Sequence, residues 1–143
     1  MPYEFVDELT MADIAFRAWG RDLEETFTSA ADAVMNAMVE DLSAIQPRQT
    51  RTLSLAHEAL DMLLFNFLQE LIYYKDAEQL LLRVQHLRLA DAPQPYTLDA
   101  SLVGEPIDPQ RHRLRVDVKA VTLHRFSLTQ SEHGCEATVI LDI

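Results

Sequence analysis

Residues 57–74, HEALDMLLFNFLQELIYY, form the stretch that decides the fold. Large apolar residues recur in it at spacings of three and four, which predicts an amphipathic helix with His57 in its first turn. The apolar positions are Leu60, Leu63, Leu64, Phe67, Leu68, Leu71 and Ile72. A face this wide suits a helix that lies across a sheet, so the rest of the chain must supply strands.

Upstream of this helix the sequence predicts three strands and one further helix. The strands are YEFVDEL and DIAFRAWG, the second ending at Gly20, and TRTLSLA at residues 50–56. Between them, Asp22 followed three residues later by Glu25 resembles a capping box, with both carboxylates at the positive end of the helix dipole. The first helix therefore begins at Asp22.

Downstream, four stretches carry strand-like patterns and are separated by turn residues. They are AEQLLLRVQHLRLA, PYTLDASLVG, RLRVDVKAVTLHRFSLTQ and EATVILDI. No helix is predicted between these later strands, so right-handed βαβ units are excluded. The prediction is an α+β fold with two helices packed on a largely antiparallel sheet, built as one domain over residues 1–143.

The chain is acidic, with 12 Lys and Arg against 23 Asp and Glu and a formal net charge of −11. A surface of this charge repels phosphate backbones, so we expect no direct, tight binding of nucleic acid. It suits a cation or a basic partner, although many acidic domains owe their charge to solubility alone.

Other features of the sequence indicate the cellular compartment. Cys135 is the only cysteine, which excludes an internal disulfide and fits a reducing cytoplasm. The N-terminal residues lack the basic and apolar regions of a signal peptide, and no apolar stretch is long enough to span a bilayer. We therefore expect a cytoplasmic protein without a membrane partner.

Familiar catalytic patterns do not occur: there is no glycine-rich phosphate loop, no HExxH pair and no nucleophile elbow. Two carboxylates are more informative, because Asp13 and Asp142 each sit among apolar neighbours in a predicted strand. If they meet, they form an oxygen-only site for a hard divalent cation. The alternative is that both are exposed at opposite edges of the sheet, and spacing alone favours that alternative.

Five motifs, in order along the whole chain, resemble those of the archease family. They are MAD ending at Asp13, LLFNFLQELIYYKDAE, GEPIDPQRH at 104–112, VKAVTLH at 118–124 and LDI at 141–143. The chain departs from the family pattern at two places. Thr10 and Met11 stand where the family commonly has His-Thr, which removes a histidine contact, and Leu123 replaces a tyrosine.

The resemblance implies a sandwich-like archease fold, related to the Hsp33-type core, and a divalent-cation site usually described with calcium, with magnesium an alternative. Its ligands would be Asp13, Asp142 and Ile143, the last through main-chain or terminal oxygens. Lys119 falls at a position linked to family function, where it could pair with a carboxylate or with a partner's phosphate.

The function implied is that of a non-enzymatic factor that activates an RtcB-type RNA ligase in tRNA splicing and RNA repair. The factor promotes guanylylation of the ligase and its multiple turnover. A second hypothesis is a chaperone-like modulator of a tRNA-modifying enzyme such as a tRNA methyltransferase. A third is an independent hydrolase that uses Asp13 and Asp142 with a metal-bound water.

Overall fold

The computed structural model of the chain describes residues 2–6, 13–90 and 94–143. It confirms an α+β architecture with two helices, seven strands and a short 3-10 turn at Leu42–Ala44. The helices are α1, Leu23–Met38, and α2, Leu60–Glu78. The strands are β1 Tyr3–Val6, β2 Asp13–Gly20, β3 Gln49–His57, β4 Leu80–Ala90, β5 Tyr96–Pro106, β6 Ala120–Ser131 and β7 Gly134–Asp142.

The strands form two sheets, and every pairing between them is antiparallel. One sheet has four strands in the order β1-β2-β7-β6, and the other has three in the order β3-β5-β4. The first sheet joins the two ends of the chain, because β2 and β7 are its central strands. Both helices contact both sheets, so the core lies where helices and sheets meet.

The apolar face of α2 predicted from its spacing is the face that the structure buries. Leu63, Leu64, Phe67, Leu68 and Leu71 are all fully buried. Burying a side chain of this size contributes about 1.5–3 kcal/mol, so these five residues are a large part of what holds α2 against the sheets.

The start of α1 is also as predicted, because the Asp22 side chain accepts a hydrogen bond from the Glu25 N–H at 2.8 Å. The Glu25 side chain does not return to Asp22. It accepts from the N–H of Arg21 at 3.3 Å. The cap therefore satisfies one of the free N–H groups in the first turn of α1.

Two predictions are wrong. His57 ends β3 and does not lie in the first turn of α2, and its Nδ1 accepts the N–H of Ala59 at 2.9 Å. The alternating stretch RLRVDVK, residues 113–119, is not part of β6, which begins at Ala120. It belongs to residues 107–119, which connect β5 in one sheet to β6 in the other and are called the crossover segment below.

The crossover segment is not a strand because its backbone bonds elsewhere. The Arg115 N–H donates to the Met38 carbonyl at 2.8 Å, and the Val116 N–H to the Ala37 carbonyl at 3.3 Å. Carbonyls in the last turn of a helix have no partner within the helix. The segment therefore closes the C-terminal end of α1.

The departure from the family pattern at Thr10 and Met11 lies outside the described residues. Within the described residues, neither helix combines the length and the apolar character needed to cross a membrane.

Candidate cation site

The antiparallel pairing of β2 with β7 brings Asp13 and Asp142 together. The two residues are direct partners in the register of the strands, and Asp142 is also the partner of Ala120 on β6. Directly opposed residues in such a pair have Cβ atoms about 4.5–5.5 Å apart and share one face of the sheet. The alternative of opposite sheet edges is therefore wrong, since both aspartates lie on central strands.

The aspartates occupy the outer face of the four-stranded sheet. Side chains alternate along a strand, so Asp13 lies on the face opposite Phe16, and Asp142 on the face opposite Val139 and Leu141. Those three apolar side chains are fully buried, whereas both aspartates are partly exposed. The pair thus stands at a surface where an ion or a partner can reach it.

Lys119 and Ile143, which the resemblance adds to the site, lie beside this pair. The Lys119 N–H donates to the Asp142 carbonyl at 2.8 Å, and the Lys119 side chain is exposed. Ile143 follows Asp142 directly and is half-buried. All four predicted residues therefore lie within one small region at the end of the β2–β7 strand pair, with the Ile143 side chain packed against the core.

The donors at this place fit a hard divalent cation. Carboxylate and main-chain oxygens are what Ca²⁺ and Mg²⁺ prefer, and Ca²⁺ takes six to eight of them. Across the described ranges no three His, Cys, Asp or Glu side chains gather as a metal-holding group. A cation here would therefore need main-chain oxygens, such as that of Ile143, besides the two aspartates.

A buried hydroxyl next to the pair adds to this fit. Thr122 follows Ala120 on the same face of β6 and opposes Ile140. Its Oγ1 is buried and has no hydrogen-bond partner among the residues that the structure describes. Such an atom carries a cost unless it is satisfied. The Thr122 hydroxyl is therefore one further polar group on β6, two residues along the strand from the partner of Asp142.

A second charged cluster, at the start of the crossover segment, was not predicted. Glu105 is 1% exposed. Its side chain accepts hydrogen bonds from the Gln46 N–H at 2.7 Å and from Arg111, and it meets Nε2 of His112 at 2.9 Å. Arg48 lies 3.5 Å from the same carboxylate. We call Glu105, Arg111 and His112 the Glu105 cluster.

The ring proton of His112 can be placed from its two neighbours. Its Nδ1 accepts the N–H of Asp108 at 2.9 Å, so the proton is on Nε2 and is donated to Glu105. Burial on its own would raise the pKa of Glu105, but Arg111, the Gln46 N–H and His112 lower it from 4.5 to about 2. The carboxylate is ionised and fully compensated, as a structural group would be.

A signal for this cluster was present in GEPIDPQRH, where Glu, Arg and His stand within eight residues. The turn residues of that motif suggested a solvent-exposed connection, and only the structure shows Glu105 and His112 turned inward. The other four histidines do not join them: His86, His124 and His133 are exposed, and His57 binds its own turn.

Comparison with known proteins places these features in a family. The sequence profile of the archease protein family (MTH1598/TM1083) matches residues 3–143. Proteins named archease from Sulfurisphaera tokodaii and Methanothermobacter thermautotrophicus are 32% and 33% identical to this chain. Each alignment covers 99% of this chain and 98% of the relative.

Solved structures agree with the fold. The solution structure of Methanobacterium thermoautotrophicum protein 1598 is 31% identical, covers 99% of both chains and superimposes with a TM-score of 0.85. The crystal structure of an archease from Thermotoga maritima, described as a possible chaperone, has a TM-score of 0.64 at 14% identity. It covers 94% of this chain and 93% of its own, and this likeness shows the fold alone.

Proposed function

The chain belongs to the archease protein family, and on this premise we propose that it is a non-enzymatic, cation-binding activator of an RtcB-type RNA ligase. It would promote the GTP- and metal-dependent guanylylation of the ligase and so sustain its turnover in tRNA splicing and RNA repair. The observation that carries the proposal is the direct cross-strand pairing of Asp13 with Asp142.

Two like charges opposed across a strand pair repel each other, and a cation bound between them would relieve that repulsion. Side-chain oxygens of Asp13 and Asp142 and the main-chain oxygen of Ile143 would hold a divalent cation, Ca²⁺ or Mg²⁺. When bound, the cation would neutralise the charge of the two carboxylates. Lys119, exposed beside them, would contact an anionic group of the ligase or of its nucleotide.

The charge of the whole chain supports a protein partner. A net charge of −11 favours a basic surface, and the proteins that bind RNA ends carry such surfaces. In this proposal the ligase performs the chemistry, and the chain supplies an acidic surface and a cation beside the ligase active site.

The test measures GTP-dependent guanylylation of an RtcB-type ligase with and without this chain. We expect the wild-type chain to stimulate it, and Asp13→Asn and Asp142→Asn to lose most of that stimulation. Lys119→Met should also lose stimulation but should keep the affinity for Ca²⁺, because its side chain is not a ligand.

Asp99→Asn is the matched control, since Asp99 is an exposed aspartate on β5 in the other sheet, bonded to Ser54 at 2.7 Å. It removes the same charge and should stimulate like the wild type. Full stimulation by both Asp13→Asn and Asp142→Asn would refute the assignment of the site.

A chaperone-like role toward a tRNA-modifying enzyme such as a methyltransferase is the second candidate. It is favoured by large apolar side chains that are exposed here, Leu123 at 60% and Tyr73 at 58%. Holding a client depends on exposed apolar surface. Leu123→Ser should then abolish protection against aggregation, whereas Asp142→Asn should leave it intact.

A further inference from the structure

We infer that Lys75 is a positioning residue for the candidate site: from α2 it fixes the crossover segment so that Lys119 is held beside Asp142. The role of Lys75 within the fold is independent of the proposed function. Its effect on the ligase rests on that proposed function. Lys75 is a side chain that the sequence motifs leave without a role.

Lys75 is unusual because it is 6% exposed, whereas lysines are almost never buried unless they are paired. Its Nζ donates to the Val118 carbonyl at 2.8 Å and to Asp117 at 2.5 Å, and it forms an ion pair with Asp76 at 2.5 Å. The buried amine is therefore paired. Two of its three partners lie on the crossover segment, directly before Lys119.

Charge strengthens these bonds. Burial alone would lower the pKa of Lys75, but the carboxylates of Asp117 and Asp76 raise it above its ordinary value. The amine is held in its charged form, and hydrogen bonds from charged donors are stronger than those between neutral groups. The bond to the Val118 carbonyl is buried, so solvent competes little for it.

The Val118 carbonyl that Lys75 binds lies next to the candidate site. Val118 is the residue before Lys119, and the Lys119 N–H donates to the Asp142 carbonyl at 2.8 Å. Fixing the Val118 carbonyl thus fixes the peptide unit that carries this N–H. The Val118 side chain is itself buried in the core, and the other anchors of the segment, at the Glu105 cluster and the end of α1, lie farther back along the chain. Lys75 therefore supplies the side-chain hydrogen bond that orients the Val118 carbonyl.

A pair of carboxylates provides a matched test. Asp117 and Asp76 both contact Nζ of Lys75 at 2.5 Å, but only Asp117 lies on the crossover segment, since Asp76 is part of α2. Lys75→Met, Asp117→Ala and Asp76→Ala are each compared with the wild type. The readout is hydrogen exchange at the Lys119 amide by NMR, with the Leu102 amide in β5 as an internal reference.

We expect exchange at the Lys119 amide to become about tenfold faster in Lys75→Met, because a charged hydrogen bond is lost. Asp117 is largely exposed and contributes less, so exchange at the Lys119 amide should become about threefold faster in Asp117→Ala. Asp76→Ala should match the wild type, and exchange at Leu102 should stay unchanged. If Lys75→Met does not fold, exchange at the Lys119 amide is compared between Asp117→Ala and Asp76→Ala. Faster exchange in Asp117→Ala alone then supports the role of Lys75.

Equal exchange at Lys119 in the wild type, Lys75→Met and Asp117→Ala would overturn the inference. An equal increase at Lys119 and Leu102 would also overturn it, since that indicates general loosening. The ligase assay separates this result from the proposed function. A wild-type chain that fails to stimulate the ligase contradicts the proposed function, while the exchange data still decide the role of Lys75.

Discussion

Glu105 and Asp142 are carboxylates near opposite ends of the crossover segment, and their surroundings differ in kind. Glu105 is almost fully buried and is surrounded by donors from Gln46, Arg111 and His112. Asp142 is partly exposed and is opposed in register by a second carboxylate, Asp13. The protein itself compensates the charge of Glu105, whereas Asp142 lies partly exposed and opposite a second carboxylate.

The largest expected effect comes from removing the compensated charge. Glu105→Gln should lower the free energy of unfolding by about 3–5 kcal/mol, because it removes the buried negative charge opposite Arg111 and replaces one of the two acceptor oxygens by an amide donor. Urea unfolding followed by circular dichroism measures it. Asp99→Asn is the control and should change the free energy by less than about 0.5 kcal/mol. A loss below about 1 kcal/mol for Glu105→Gln would remove the contrast between the two carboxylates.

The second expected effect is a decrease in the free energy of unfolding at acidic pH. Because the pKa of Glu105 is lowered from 4.5 to about 2, its carboxylate stabilises the fold fully above pH 4.5. That contribution is lost as the pH falls from 4.5 toward 2, since the unfolded chain binds the proton first. Urea unfolding at several pH values should show this decrease in the wild type and a shallower one in Glu105→Gln. Parallel slopes would contradict the lowered pKa.

The third effect tests the other side of the comparison. Ca²⁺ at one hundred times its dissociation constant should stabilise the wild-type chain by about 2.7 kcal/mol, as any ligand specific for the folded state does. Thermal unfolding with Ca²⁺ or with a chelator measures it. Asp13→Asn and Asp142→Asn should lose the stabilisation, whereas Asp99→Asn should keep it. Equal stabilisation of all four proteins would mean that Ca²⁺ binds elsewhere.

The smallest effect appears when no cation is present. Asp142→Asn should then raise the free energy of unfolding slightly, by about 0.2–1 kcal/mol, because the repulsion from Asp13 is relieved. The same substitution at Glu105 is strongly destabilising, so the sign of the effect distinguishes the two carboxylates. A clear loss of stability in Asp142→Asn under chelator would show that Asp142 is compensated within the protein.

Periodicity was enough to predict both helices and most strands, because the apolar spacing of α2 and the cap at Asp22 are local signals. It failed where backbone partners are distant. The stretch 113–119 alternates like a strand, but its N–H groups bond the last turn of α1 and its Val118 carbonyl accepts from Lys75. His57 was misplaced because α2 begins without a side-chain cap, so nothing local marks its start.

The site was only partly predictable for a similar reason. The pattern of apolar neighbours indicated that Asp13 and Asp142 lie in strands, but their pairing joins opposite ends of the chain and depends on register. The family resemblance, not the spacing, favoured their meeting. Burial of Glu105 depends on donors from Gln46, Arg111 and His112. These donors come together only in the folded chain, so no periodic pattern in the sequence indicates them.

Calorimetric titration of the chain with Ca²⁺ directly measures whether Asp13 and Asp142 form a cation site. We expect one ion per chain for the wild type and for Asp99→Asn, and at least a tenfold weaker affinity for Asp13→Asn and Asp142→Asn, since each loses a charged ligand. Undiminished binding by the Asp13→Asn/Asp142→Asn double variant, or no binding by the wild type, would contradict it.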